Sequence, residues 1–326
     1  MPTGESGRIE GGMTLRAFRH AVAVSAVLVG LTGQAHAASK PGAHALDDVR
    51  ILSADNMEGR GVGTPGGAKA RAYIIQRFGQ IGLRPQDGKF ERPFTFKPRT
   101  FGKDVTGVNL VARIQGTSSS DKVLVVSAHY DHLGVRKGQV YNGADDNASG
   151  IAGLLAVAEA FKARPPRHTV LIVAFDAEES GLKGAKAFVA DPAVPLASIG
   201  LNVNFDMISK NAKGQLYVSG AGPQPYLKPV LEGVAKTAPV KLLLGHDTDA
   251  EGKENNWTAQ SDQGAFAEKG VPWVYFGVED HPEYHQPTDD FATVPQDFFK
   301  RSVATVVSAT RALDDDLDGI SKGAGR

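Results

Sequence analysis

The chain has 326 residues, 41% of them hydrophobic and 22% charged, the proportions of a globular protein and not of collagen, a coiled coil or a wholly disordered chain. Lys plus Arg and Asp plus Glu both number 36, so there is no basic surplus for capturing nucleic acid or an anionic membrane. Cysteine is absent, which rules out disulfide frameworks, Cys-ligated zinc, iron–sulfur clusters and thiol nucleophiles; any metal must be held by His, Asp or Glu.

Residues 1–37 read as a signal peptide. Arg16, Arg19 and His20 precede an apolar run from Ala21 to Leu31, and Ala35-His36-Ala37 supplies the small-x-small pattern of a cleavage site. The run is shorter than the ~20 apolar residues that span a bilayer, and Met13 is an alternative start. No second long apolar stretch follows, so the expectation is an exported protein, periplasmic or secreted, with no membrane insertion. Residues 38–326 suffice for a core, since a chain near that length buries roughly 75% of its surface.

From Leu46 to Leu83 the pattern is helical, broken by a glycine-rich turn at 59–67, with Ile74, Ile75, Phe78 and Ile81 on one face after it. Residues 61–66 match G-x-G-x-x-G, but no strand precedes them and Pro65 interrupts them, so a turn is the better reading than a dinucleotide site. Beyond Asn109, short β-branched or aromatic runs at Val123–Ala128, Val170–Phe175, Val203–Phe205, Leu216–Val218 and Trp273–Phe276 alternate with helical segments. Phe299, Val303, Val306, Thr310 and Leu313 form a closing helix. This alternation predicts an α/β fold: a three-layer α/β/α sandwich around a mostly parallel mixed sheet. The expected division is a leader (1–37), one catalytic domain (38–313) and a flexible C-terminal tail (314–326).

In such sheets the reactive groups gather at the carboxyl ends of the strands. The run Val123–Ala128 leads into His129-Tyr130-Asp131-His132. A loop then ends at Gly143-Ala144-Asp145-Asp146-Asn147-Ala148-Ser149-Gly150; further strands end at Asp176-Ala177-Glu178-Glu179 and at Asp206, and Tyr284-His285 lies far downstream. A single acid in such a set reads as a helix cap or a solvated loop residue. Acids at successive strand ends are different, because burying them together is costly without cations. Imidazole and carboxylate without thiolate suit Zn²⁺, with Mn²⁺ or Co²⁺ as substitutes. There are too many donors for one ion. Two ions would share Asp145, and the carboxylates of Asp145, Glu179 and Asp206 with one hydroxide would balance their charge. Adjacent Glu178 and Glu179 point in different directions at a strand end, so one can ligate while the other faces water.

The pattern His129-x-Asp131, Gly143-Ala144-Asp145-Asp146-x-Ala148-Ser149-Gly150, Phe175-x-x-Glu178-Glu179-x-Gly181-Leu182-x-Gly184, Asn204-x-Asp206 and Tyr284-His285-x-Pro287-x-Asp289 resembles the M28 family of zinc peptidases. The likeness runs from about Leu52 to Phe299. About 25 residues between Leu83 and Asn109 leave no room for an inserted protease-associated domain. The resemblance implies two zinc ions, one held by His129 and Asp206, the other by Glu179 and His285, with Asp145 bridging. It implies Glu178 as the general base for a zinc-activated water, Asp131 as the partner that orients His129, a cis Asp145–Asp146 peptide, and Tyr284 beside the oxyanion. Ala185 stands where many relatives carry Ser, without consequence for catalysis. The activity so implied is release of N-terminal amino acids from peptides.

Other residues read as bland. His132, His246 and His281 are taken as surface or supporting histidines, since both ions are already served. Pro282 breaks the helix that H-x-x-x-H at 281–285 would need. Asp314-x-Asp316-x-Asp318-Gly319 mimics a calcium loop but has Gly325 at its twelfth position. Trp257 is a candidate pocket residue; Trp273 and Phe276 are core. There is no G-x-S-x-G elbow. The rival readings are a single-zinc glutaminyl cyclase, a carboxypeptidase or other amide hydrolase, and a binding module on a dead peptidase fold, which would need a ligand or base to be missing.

Overall fold

The computed structural model describes residues 7, 10–12, 41–98 and 102–326. The apolar run and cleavage motif of the expected leader lie outside these residues. Helix α1 (Ala45–Leu52) is followed by a 3₁₀ segment, Asp55–Arg60, and by α2 (Pro65–Ile81). Thr64 caps α2 by accepting the Gly67 amide at 3.2 Å, and Pro65 sits in the first turn, where its missing N–H is not needed. Gly82 ends the helix in the left-handed conformation, φ 76°. The glycine-rich stretch is thus a turn into a helix.

In chain order there follow β1 (Arg84–Pro85), β2 (Glu91–Phe96), β3 (Val105–Ile114), β4 (Val123–His129), β5 (Val135–Arg136), β6 (Gln139–Val140), α3 (Gly150–Ala163), β7 (Thr169–Phe175) and α4 (Lys183–Ala190). Then come β8 (Ile199–Phe205), β9 (Gln215–Ser219), α5 (Lys228–Thr237), β10 (Lys241–Leu244), α6 (Gln263–Ala267), β11 (Trp273–Gly277), α7 (Gln296–Asp315) and α8 (Leu317–Gly323). Among the described residues nine strands make one sheet, in the order β1-β3-β7-β4-β8-β11-β9-β10, with β2 also paired to β3. The four central strands β7, β4, β8 and β11 are parallel, while β3 and β9 join them antiparallel.

The sheet is covered on both faces, and the side chains divide with period two. Leu124, Val126 and Ala128 of β4 and Val170, Ile172 and Ala174 of β7 pack with α1, α2, α3, α5 and α7. Val123, Val125, Leu171, Val173 and Phe175 face the other way, onto Phe188 of α4 and Phe266 of α6. This is the three-layer α/β/α arrangement expected from the alternation. Helix α3 is apolar nearly all round, with Ile151, Leu154, Leu155 and Phe161 all buried, and so directs its N-terminal end into the body of the protein.

One expectation fails. The segment after Asp314 is not a frayed tail: α8 buries Leu317 and Ile320 in the main core, and Asp314 accepts the amides of Arg167 and His168 at 2.7 and 2.9 Å. Apolar residues at i and i+3 give α8 a face to bury, which outweighs the polarity of its neighbours. Among the described residues no helix is long and apolar enough to cross a membrane.

Candidate active site

The carboxyl ends of β4, β7 and β8 meet the N-terminal end of α3 and the loop after β11. His129 closes β4 and is buried; its Nε2 lies 3.2 Å from Asp206 Oδ1, at the end of β8, and 3.5 Å from Asp146 Oδ1. Across Asp146, the second oxygen Oδ2 is 3.1 Å from His285 Nε2 and 3.5 Å from His132 Nδ1. Glu179, after β7, completes this second group: Oε1 is 2.7 Å from His132 Nδ1 and Oε2 is 3.4 Å from His285 Nε2. Two three-residue donor groups result, His129–Asp146–Asp206 and His132–Asp146–Glu179, and Asp146 belongs to both.

The sequence reading assigned the shared position to Asp145, and the structure corrects it. Asp145 points away, its Oδ1 accepting Ser209 N at 2.7 Å and Ser209 Oγ at 2.8 Å and its Oδ2 facing His281 Nε2 at 2.9 Å. Successive side chains of the loop diverge, so only one of two adjacent Asp residues can face the cleft. The cis peptide is likewise Asp146–Asn147, not Asp145–Asp146. Of the two readings open for His132, surface or supporting, the structure shows the second: it is buried, 2% exposed, and in contact with a site carboxylate.

Supporting groups fix these side chains. The Asp131 carboxylate accepts the amides of Glu178 and Glu179 at 3.0 and 3.3 Å, while its carbonyl, at 3.1 Å, is the nearer partner of His129 Nδ1. Asp131 therefore orients His129 chiefly through its main chain. Asp289, fully buried, accepts the amides of Asp145 and Asp146 and pairs with Lys210 Nζ at 3.1 Å. Ala177, Met207 and His285 all adopt left-handed backbone, φ 58°, 57° and 54°, a conformation costly for residues with a Cβ and typical of functional sites. The Tyr284 ring stacks on His285 with centroids 3.9 Å apart. In the 244–262 loop, Trp257 stacks on His246 at 3.8 Å and meets Tyr275 edge-on, whose hydroxyl donates to the Asp206 carbonyl.

The electrostatics call for cations. Burial raises the Asp146 carboxyl to about 6, with Glu179 adding repulsion, and burial lifts Glu178 well above the usual range, with Asp206 and Asp262 pushing further against the pull of His129. Burial would deplete protons from His285, yet Asp146 and Glu179 outweigh it and raise the imidazole to about 10. Burial is likewise outweighed at His129, which Asp206 and Glu178 hold well above its ordinary value. So many carboxylates around the imidazoles of His129, His132 and His285 concentrate negative charge that a divalent ion neutralises better than protons do. The buried His132 Nε2 also has no hydrogen-bond partner among the described residues. Nitrogen and carboxylate donors of this kind fit zinc.

The model of peptidase family M28 matches residues 109–310. The chain belongs to that family. M28 zinc peptidases are hydrolases, and the site is built from segments inside the matched range. The chain is 32% identical over 186 residues to the alkaline phosphatase isozyme conversion protein of Escherichia coli, covering 52% of each, and so spans about half the length of that curated relative. Among solved structures, it resembles a zinc aminopeptidase from Bacillus subtilis (TM-score 0.68, 16% identity, 83% of this chain and 95% of that one). It also resembles Porphyromonas gingivalis glutaminyl cyclase (TM-score 0.69, 18% identity, 84% and 98%). At such identities the two likenesses establish the M28 fold and nothing finer.

Two buried groups escaped the sequence reading. Asp262, just before α6, has neither carboxylate oxygen hydrogen-bonded among the described residues, and burial pushes it to about 8; an acid heading a short helix reads as a cap. Arg60, in the glycine-rich turn, reads as a solvated charge but is fully buried.

Proposed function

We propose that this M28 chain is an exported metallopeptidase that uses two zinc ions to release N-terminal residues from peptides, with residues 38–326 serving as its single catalytic domain. The observation that carries the reading is the Asp146 carboxylate, one oxygen turned to His129 and the other to His285. On this reading His129 and Asp206 hold one ion, Glu179 and His285 the other, and Asp146 both, with His132 beside the second. Bound zinc supplies Lewis acidity for the scissile carbonyl and acidifies the attacking water.

The chain's own groups do the rest. Glu178 takes the proton from the attacking water and hands it to the leaving amine. Its raised proton affinity suits that exchange, since a base tuned toward working pH transfers protons in both directions. Asp131, by holding the amides of both Glu178 and Glu179, keeps the base from swinging into the ligand position. The Tyr284 hydroxyl donates to the developing oxyanion. Trp257, in the 244–262 loop, is the candidate residue for the wall of the first-residue pocket. The leader pattern at 1–37 supports export.

The test is metal analysis of the purified chain together with digestion of a peptide library bearing free or acetylated N-termini. Two ions per chain and release of amino acids only from free N-termini are expected. One ion per chain, with cyclisation of N-terminal Gln, would favour the glutaminyl cyclase alternative; equal cleavage of acetylated peptides would overturn the aminopeptidase reading.

A further inference from the structure

Arg60 lies outside the segment matched to the family, and among the described residues no carboxylate contacts its guanidinium. An arginine has five N–H donors. Here all five end on main-chain carbonyls: Nε on Tyr130 at 2.8 Å, Nη1 on Leu52 at 2.8 Å and on Asn142 at 2.5 Å, Nη2 on Gly143 at 2.9 Å and on Asp146 at 3.2 Å. Tyr130 lies between His129 and Asp131, and Asn142, Gly143 and Asp146 belong to the loop that delivers the shared carboxylate. One rigid fork thus joins the end of β4 to the Asp146 loop.

The backbone is bent to place that fork. Glu58, Gly59 and Arg60 are three consecutive left-handed residues, φ 51°, 63° and 53°, and two of them carry a Cβ, which makes the turn unfavourable by itself. At Gly59 a Cβ would lie 2.5 Å from the Tyr141 carbonyl oxygen and 2.6 Å from that of Gly134, so the turn presses directly on the loop between β4 and α3. Strain of this kind persists where the surroundings over-determine it, and it clusters at functional sites. Burial lowers the Arg60 pKa to about 10, with Asp146, Asp289 and Asp131 resisting, so the group remains a cation at neutral pH beneath the carboxylates.

We propose that Arg60 is a positioning residue of the metal centre, its five-carbonyl clamp setting the spacing between the His129 strand end and the Asp146 loop. The proposal rests on the two-ion reading above. Lysine keeps the charge but has three donors and no planar fork, so it leaves carbonyls unpaired and the loop free to drift.

The experiment compares the full chain with Arg60→Lys and Arg60→Met, and with Arg77→Met as a control for general destabilisation. Arg77 is a buried arginine whose partners, Asp48 and Glu159, are not in the site. Zinc affinity is measured by competition with a chromophoric chelator, and folding by circular dichroism and thermal melts. Both Arg60 variants should bind zinc about 10–100-fold more weakly, the usual cost of losing a group that holds a metal ligand in place, whereas Arg77→Met should lower the melting temperature and leave zinc affinity alone. Zinc affinity of Arg60→Lys within about threefold of the unaltered chain, below that 10–100-fold range, would overturn the proposal. If neither variant folds, hydrogen exchange of the unaltered chain decides: by linkage, zinc should slow exchange in residues 55–62 relative to chelated protein, and unchanged exchange there refutes the clamp. If the unaltered chain binds no pair of ions, the two-ion reading itself has failed, an outcome distinct from failure of the Arg60 proposal.

Discussion

Replacing Asp289 by Asn removes a buried charge from beneath the Asp146 peptide. The Asp289 carboxylate accepts Asp145 N at 3.1 Å on each oxygen and Asp146 N at 3.1 Å, and it faces Lys210 Nζ at 3.1 Å. Asn retains one acceptor oxygen, so part of the amide contact survives; the ion pair does not. At 3.1 Å and an effective dielectric near 20, the lost attraction is about 5 kcal/mol. Lys210, 8% exposed, keeps Thr293 Oγ1 at 2.7 Å but becomes a buried charge without its main counter-ion, a situation that costs about 3–5 kcal/mol. Urea unfolding of Asp289→Asn, Lys210→Met and the double variant measures this, given equal denaturant slopes. The double variant should be more stable than the sum of the singles by about 2 kcal/mol or more, because it leaves no unpaired charge buried. A loss below about 1 kcal/mol for Asp289→Asn, or simple additivity, would refute the view of Asp289 as a counter-charge.

Three further outcomes are expected. Asp146→Asn should lose both ions on dialysis because it serves both donor groups, while Asp145→Asn should keep two; metal analysis distinguishes them, and equal loss would contradict the corrected assignment. Glu178→Gln should slow turnover by about 10²–10⁴-fold with metal content unchanged, and concurrent metal loss would make Glu178 a ligand instead. At the far end of the sheet, the Ser120 hydroxyl, with help from His168, holds the Asp318 carboxyl below its usual value against slight burial. A carboxyl so depressed adds stability above its unfolded pKa of about 4 and loses it as pH falls through the lower folded value. Ser120→Ala should therefore flatten the fall in melting temperature on acidification below about pH 4, and an unchanged acid limb in thermal melts would count against it.

Much of the fold is legible because central parallel strands are buried on both faces and read as unbroken β-branched runs, as in Val123–Ala128 and Val170–Phe175. The outer strand β2 is not, since its residues alternate between exposed and half-buried and Pro93 interrupts the run. Tail and helix were confused at Leu317 and Ile320 because Asp and Gly surround the two apolar residues that decide the matter. At the site, residue types and strand ends are legible, but which of two neighbouring Asp residues faces the cleft is not: spacing is the same for both, and the choice is made by Ser209, His281 and Asp289, each distant in sequence. Whether His132 is a surface or a supporting histidine is not legible either, since it stands three residues from a better-placed histidine. Arg60 had one available signal, a charged residue inside a run of glycines where the chain turns sharply.

The groups that would coordinate metal come from five well-separated stretches, carrying His129, Asp146, Glu179, Asp206 and His285. An unfolded chain therefore has no preassembled chelate, and tight capture must wait until the central strands have docked. A cation taken up there would be coupled to the integrity of the entire sheet, and a strong chelator would lower the melting temperature of regions far from the ligands. A chain exported before folding would also be charged from the metal supply of its destination, not from that of the cytoplasm.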